Sequence, residues 1–267
     1  MLDRDVTYAV VRVVTMAVLA LILGLLFRDI GTSDEFGLIS KMASIFVTAG
    51  FVSFTVGSMS MPVILRVREC FYKEQASHVY AGIWHANALA LVELPYLAAS
   101  LLLYCIPIYF LIGFESRADF FFQYYAVMLL AAIYASYLGQ ALASLAPNLQ
   151  VANVLFPLIM TLHFVFGGVF VLKDRLPGPW RFMWYLSPLA KALNSVSLKQ
   201  FECEGADCPT VSSVQFGGEM TQWEFVQQYL SSGPGWDKWW ALYLLLQVVV
   251  MRIIASFVIL KVSHYSR

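Results

Sequence analysis

Six long apolar runs, separated by segments that hold nearly all the charge, constrain this chain more than any motif does. They lie at residues 6–27, 42–65, 82–113, 120–146, 150–172 and 239–260. Each reaches the roughly 20 residues that an α-helix needs to cross about 30 Å of hydrocarbon. Lipid offers no partner to backbone N–H and C=O groups, so only helices or a closed barrel can span it. The alternation of apolar and polar residues that marks barrel strands is absent. The expected fold is therefore an all-α membrane protein with six transmembrane helices. Composition agrees, with 60% hydrophobic and 13% charged residues and a mean hydropathy of +0.71. That charge is about half the usual share and leaves too little to cover a soluble surface of this size. Lys+Arg and Asp+Glu both number 17, so no basic excess points to nucleic acid.

The first run is too long for a signal peptide, Asp3 and Asp5 oppose a positive n-region, and no small-residue cleavage site follows. Arg4 and Arg12 are expected at its cytoplasmic end, with Arg12 snorkelling to the interface. Six spans put both termini on one side. That side would carry Arg4, Arg12, Arg66, Arg68, Lys73, Lys261 and Arg267, whereas the short loops opposite carry Arg28, Lys41 and Arg117. The excess places the termini and the 66–80 loop in the cytoplasm and residues 173–238 outside. A multi-pass protein of the plasma membrane is expected.

The external segment divides in two. Residues 173–201 are amphipathic and rich in Trp, Tyr and Pro, which suits two short helices lying in, or dipping back into, the outer interface. An ordinary loop is the alternative. Residues 202–238 are polar, acidic and Gly-rich, and suggest an exposed cap. Cys203 and Cys208 lie there beside Gly205, an expected disulfide; two unbridged thiols are the other possibility. The chain contains no N-x-[ST] sequon.

On the cytoplasmic side, VILRVRECFYKEQASHVYAGIW follows Pro62 and holds Arg66, Arg68, Glu69, Lys73 and Glu74 among aromatics. It should be helical. Its charges either solvate a loop or dock a cytoplasmic domain, and the pattern alone leaves both open. No phosphate-binding loop, HExxH, GxSxG or metal-spaced cysteine set is present. His78 and His85 are one heptad apart, but with no third donor they read as satisfied side chains rather than ligands. No metal site and no catalytic residue are expected. Glu93 stands well inside the third run, where a carboxylate is costly and should face the bundle interior with a partner, or be protonated. A buried polar cluster linking helices is the favoured role. Bonding of polar groups freed near Pro95 is the structural alternative, and a proton relay lacks a second intramembrane acid.

Several of these segments together resemble the transmembrane domain of G-subfamily ABC transporters, in particular the pleiotropic-drug-resistance branch. They are RVRECFYKEQASHVY at 66–80, LVELPY at 91–96, FGGVFV at 166–171 and PGPWRFMWYLSPLAKALNS at 177–195. The resemblance covers essentially residues 1–267, as one ABC-2 type domain. It implies that 66–80 is a coupling helix whose Arg68, Glu69, Tyr72, Lys73 and Glu74 contact a nucleotide-binding domain. It puts Glu93 in a polar relay between spans. Val52, Thr55, Thr161 and Phe164 would face a substrate cavity shared with a second transmembrane domain, closed outside by a plug at Val169 and Phe170. Grips for flat drugs known in some members are not matched at Val52 and Thr55. ATP and Mg would belong to a nucleotide-binding domain, upstream in the natural chain or separate, since no such sequence occurs here; this chain would hold no cofactor and be no enzyme. The polar tail suggests the C-terminal half of a full transporter, or a fragment of one. The implied function is the membrane half of an ATP-driven exporter of lipophilic compounds or lipids. A self-contained channel or secondary carrier is the alternative, although no internal repeat supports it.

Overall fold

The computed structural model describes residues 6–262 except 33, 78, 79, 81, 116, 204–207, 214–217 and 234. Arg4, His78, Gly205, His264 and Arg267 lie outside the described residues. The fold is mostly helical, in the order α1 (Val6–Leu26), α2 (Glu35–Ala76), α3 (Gly82–Ile112), α4 (Ala118–Leu145), α5 (Leu149–Val165), α6 (Arg181–Leu186), α7 (Pro188–Gln200), a hairpin of β1 (Thr210–Ser213) and β2 (Gly218–Thr221), α8 (Gln222–Leu230) and α9 (Trp236–Lys261). By length and composition α2, α3, α4 and α9 can cross a membrane; Val10–Leu26 of α1 and Leu149–Val165 of α5 are shorter apolar helices.

Helix α4 is the centre, packed by α2, α3, α5, α7 and α9. Its run AAIYASYLGQALASL is dominated by small side chains, which lets neighbouring backbones come close. A Cβ on Gly139 would stand 2.4 Å from both the Gly57 carbonyl oxygen and Ser60 Oγ of α2. Ser60 donates to the carbonyls of Gly57 (2.8 Å) and Ser136 (3.2 Å), so its hydroxyl closes the seam between the helices.

Two expected boundaries are corrected. The coupling helix at 66–80 is not a separate element: α2 runs unbroken for 42 residues, through Pro62, and ends at Ala76. At 1.5 Å per residue that is a rod of about 63 Å, roughly twice the hydrocarbon thickness. The fifth span, expected to reach 172, stops at Val165. Gly167 and Gly168 follow, and Gly168 takes φ +97°, a conformation that ends a helix and that side chains resist. The α4–α5 corner has a local cause as well. Pro147 disfavours helical backbone at Ala146, which is extended, and Asn148 then caps α5 by accepting from Val151 N at 3.0 Å.

Residues 173–201 form single 3-10 turns at Lys173–Arg175 and Gly178–Trp180, then α6 and α7. Ser187 caps α7, and Pro188 occupies its first turn. Neither a surface helix nor a loose loop describes α7, because Pro188–Leu198 are all buried, against α2, α4 and α9. Its only lysine within that stretch, Lys191, is 0% exposed. The ammonium donates to the Trp184 carbonyl (3.1 Å) and lies over Trp184 (3.2 Å), Trp240 (4.9 Å), Tyr185 (5.1 Å) and Tyr243 (5.4 Å). Aromatic faces thus replace a carboxylate and hold α6–α7 on α9. Beyond, Cys203 and Cys208 are joined, as expected. The hairpin and α8 make a cap whose buried Val211, Phe225 and Val226 continue the main core, and a Thr221–Glu224 capping box starts α8.

Gly139→Val should destabilise the purified protein by about 1–3 kcal/mol, since backbone rather than a flexible side chain blocks the new atoms. Gly178→Ala, which meets nothing within 4 Å, should leave thermal unfolding unchanged. Digestion without reductant should yield a Cys203–Cys208 linked peptide by mass spectrometry; both thiols alkylated freely would contradict it.

Candidate functional site

Three sets of side chains carry the expected chemistry, and α2 touches two of them. At its C-terminal end an exposed stripe recurs every three or four residues: Arg66, Glu69, Cys70, Lys73 and Ala76. This spacing is one face of a helix. The opposite face is fastened down. Phe71 is 2% exposed and stacks on His85 of α3 at 4.3 Å. Tyr72 donates to the Val262 carbonyl beyond α9 at 3.1 Å. Glu74 accepts from Tyr80 (2.5 Å) and from Cys70 (3.5 Å), and Tyr80 lies 3.2 Å from His85 Nδ1. The Tyr80 bond holds the Glu74 carboxyl below its usual range, while burial and that same carboxylate push Tyr80 up to about 12.

Of the five residues expected to contact a nucleotide-binding domain, Glu69 and Lys73 lie on the exposed stripe and Glu74 is half-buried beside it. Tyr72 and Arg68 point elsewhere. The Arg68 guanidinium donates to the carbonyls of Ala146 (2.7 Å), Pro147 (2.7 Å) and Ala143 (3.4 Å), at the corner between α4 and α5.

Nearer its N-terminal end, α2 forms a groove of about 270 Å³ with α5, lined by Gly50, Phe51, Phe54, Met160, Thr161 and Phe164. Thr161 and Phe164, expected to face a cavity, are among its lining residues. Val52 is not: it is 0% exposed and sits in the core, so Phe51 and Phe54 take the place expected for it. Thr55 is half-buried and donates to the Phe51 carbonyl at 2.8 Å. The small residues Ser53, Gly57 and Ser60 face the bundle and turn Phe51 and Phe54 outward; that stripe was the signal for the helix phase. Phe164 also meets Phe46 (4.6 Å) and the expected plug residue Phe170 (5.7 Å). Val169 packs, half-buried, against the core.

The third set surrounds Glu93. Arg12 Nη1 lies 3.8 Å from Glu93 Oε1, and Gln140 Nε2 donates to Glu93 Oε2 at 2.6 Å. The other end of the Gln140 amide accepts from Arg252 Nη1 at 3.3 Å. Arg252 also donates to the Ala86 carbonyl and lies over the Tyr137 ring at 5.2 Å. One cluster thereby joins α1, α3, α4 and α9. Arg12 is 3% exposed and turned inward, which corrects its expected snorkelling. Its removal from the cytoplasmic tally leaves six basic residues against three, so the sign of that argument stands. The sequence reading passed over Gln140, although it is the one amide in a run of small and apolar residues.

With this geometry in hand, the comparisons decide the family. Residues 2–201 match the family described as ABC-2 type transporter. The chain belongs to the ABC-2 type transporters. It is 32% identical over 234 residues to the ABC transporter G family member 31 of Arabidopsis thaliana, covering 86% of this chain and 16% of that protein. To the pleiotropic drug resistance protein 1 of Nicotiana tabacum it is 30% identical over 200 residues, 74% of this chain and 14% of the relative. The ABC transporter G family member 45 of Oryza sativa subsp. japonica is 26% identical over 263 residues, 98% and 19% respectively. This ABC-2 type chain thus spans less than a fifth of the length of these curated relatives.

Removing one member of a buried ion pair strands the other, at about 3–5 kcal/mol. Glu93→Ala should therefore lower thermal stability more than the double variant Arg12→Met/Glu93→Met does. Equal losses in detergent-solubilised protein would show that the pair is not coupled.

Proposed function

We propose that this chain is the membrane-spanning part of an ATP-driven exporter of lipophilic compounds or lipids. The domain would comprise all of residues 1–267, with six spans, both termini cytoplasmic, residues 173–238 external, and a plasma-membrane location. One observation carries the reading: a single unbroken helix, α2, bears the groove residues Phe51 and Phe54 and, several turns on, the charged stripe at Glu69 and Lys73. A rigid rod with an apolar wall at one end and an aqueous docking face at the other can carry displacement from one to the other. Membership among ABC-2 type transporters supports a nucleotide-binding domain as the docked partner, holding ATP and Mg; hydrolysis is assigned to it and not to this chain. A second transmembrane domain would complete the cavity across the groove.

In this reading Glu69, Lys73 and Glu74 make the docking contact, with Tyr72 behind them. Thr161 and Phe164, with Phe51 and Phe54, line the substrate path, which apolar and aromatic groups suit. Val169 and Phe170 close its outer end. The Glu93 cluster keeps α1, α3, α4 and α9 together.

Two measurements test this. Cys70, exposed on α2, should react with an impermeant maleimide only after permeabilisation, whereas Ser212→Cys should react in intact cells. Ser212 is exposed on β1, unlike its buried neighbour Ser213. The reverse pattern would overturn the topology. In the full transporter, Glu69→Arg/Lys73→Glu should cut substrate-stimulated ATP hydrolysis about tenfold by opposing like charges at the contact, with substrate affinity within about twofold. Lost affinity with normal stimulation would move this stripe into the substrate path.

A further inference from the structure

Arg68 lies on the helix face turned away from the docking stripe, and its guanidinium is committed to the far side of the bundle's foot. Its three acceptors are the carbonyls of Ala143, Ala146 and Pro147. Ala143 lies in the last turn of α4 and Ala146 is its C-terminal cap, where carbonyls lack intrahelical partners and the helix dipole is negative. Pro147 is the middle of the corner, and Asn148, next in the chain, caps α5. Arg68 therefore holds the corner at which α4 ends and α5 begins against α2. A guanidinium suits this task because its rigid planar fork donates from separate nitrogens to neighbouring carbonyls in a fixed geometry, whereas an ammonium offers a single rotatable nitrogen.

We propose that Arg68 is a positioning residue that makes the cytoplasmic end of α2 and the α4–α5 corner one mechanical unit, so that displacement of the docking face reaches α5 at its foot. This rests on the exporter reading above and adds a second route to the groove. One wall, α2, moves directly; the other, α5, is moved through Arg68. Lys73 and Arg68 lie five residues apart on opposite faces of one helix, so a push on the stripe is delivered to the corner without an intervening joint. A residue that merely capped α4 would lower stability when removed but would not alter how the two segments move relative to each other.

Spin labels at Ser77, at the end of α2, and Gln150, both exposed and outside the docking contact, read that relation in the full transporter with its nucleotide domains. In the parent the label distance should be the same with and without trapped nucleotide. In Arg68→Gln it should change with nucleotide by at least the 1–2 Å typical of helix shifts. Transport should fall about fivefold or more, the lower bound of common coupling, with ATP hydrolysis within about twofold. Arg68→Lys keeps the charge without the fork and should fall between. A parent label distance that itself changes with nucleotide, or full transport by Arg68→Gln, overturns the proposal. If Arg68→Gln does not accumulate, Arg68→Lys decides: parental transport with an unchanged label distance is equally fatal. A parent protein with no nucleotide-dependent transport sinks the exporter reading instead.

Discussion

The contact of Gly57 with Gly139 sets the rest of the structure. It brings two backbones to a separation that no side chain tolerates on either side. Once α2 and α4 are locked in that rotation, every other residue on them is phased. The residue after Gly139, one hundred degrees round the helix, is Gln140, which then lies between Glu93 and Arg252. On α2, the faces away from Gly57 carry Phe51 and Phe54 to the groove. Phe156 of α5 also lands on Gly57, and Phe164 on Gly50, one heptad away. Large rings seated on glycines place α5 against α2, and a hydrogen bond from Ser187 Oγ to the His163 carbonyl (2.8 Å) holds its far end.

What the sequence made legible was whatever depends on length and apolarity. A helix falls in each of the six apolar runs, four of them long and apolar enough to cross a membrane, and Cys203 and Cys208, five apart, are bridged. Helix ends were less legible, since they turn on single backbone conformations: Gly168 ends the segment after α5 early, and nothing interrupts α2 where a coupling helix was expected to begin. Helix phase was not legible at Val52, because an apolar residue suits lipid, cavity and core equally. Only the glycine and serine stripe distinguishes them.

Side-chain partners remote in sequence were hidden altogether. Arg12 near the start of a run looks like a snorkelling arginine until Glu93, 81 residues later, is beside it. Arg68 looks like part of a charged surface until the α4–α5 corner folds against it. Lys191 has no sequence signal as a buried residue, because its partners are two tryptophans and two tyrosines from α6 and α9. Arg12 and Arg68 are cations whose charge alone predicts exposure. Each is placed by geometry that only the fold creates.

The way these cations are held divides the molecule. Arg68, Arg252 and Lys191 all donate to backbone carbonyls, and Arg252 and Lys191 also lie over rings; only Arg12 is shown facing a carboxylate. In a low-dielectric interior such bonds are costly to break, because the freed charge has no water to turn to. They tie α4 to α2, α3 and α9, and α6–α7 to α9. Between α2 and α5, by contrast, the contacts are rings on glycines and rings on rings, such as Phe54–Phe156 at 5.8 Å and Phe46–Phe164 at 4.6 Å. Apolar groups parted there can meet lipid or an apolar ligand at little cost, since lipid tails are as apolar as the rings they replace. Among the described residues the groove lining holds no charged side chain, so parting α2 from α5 there would expose none.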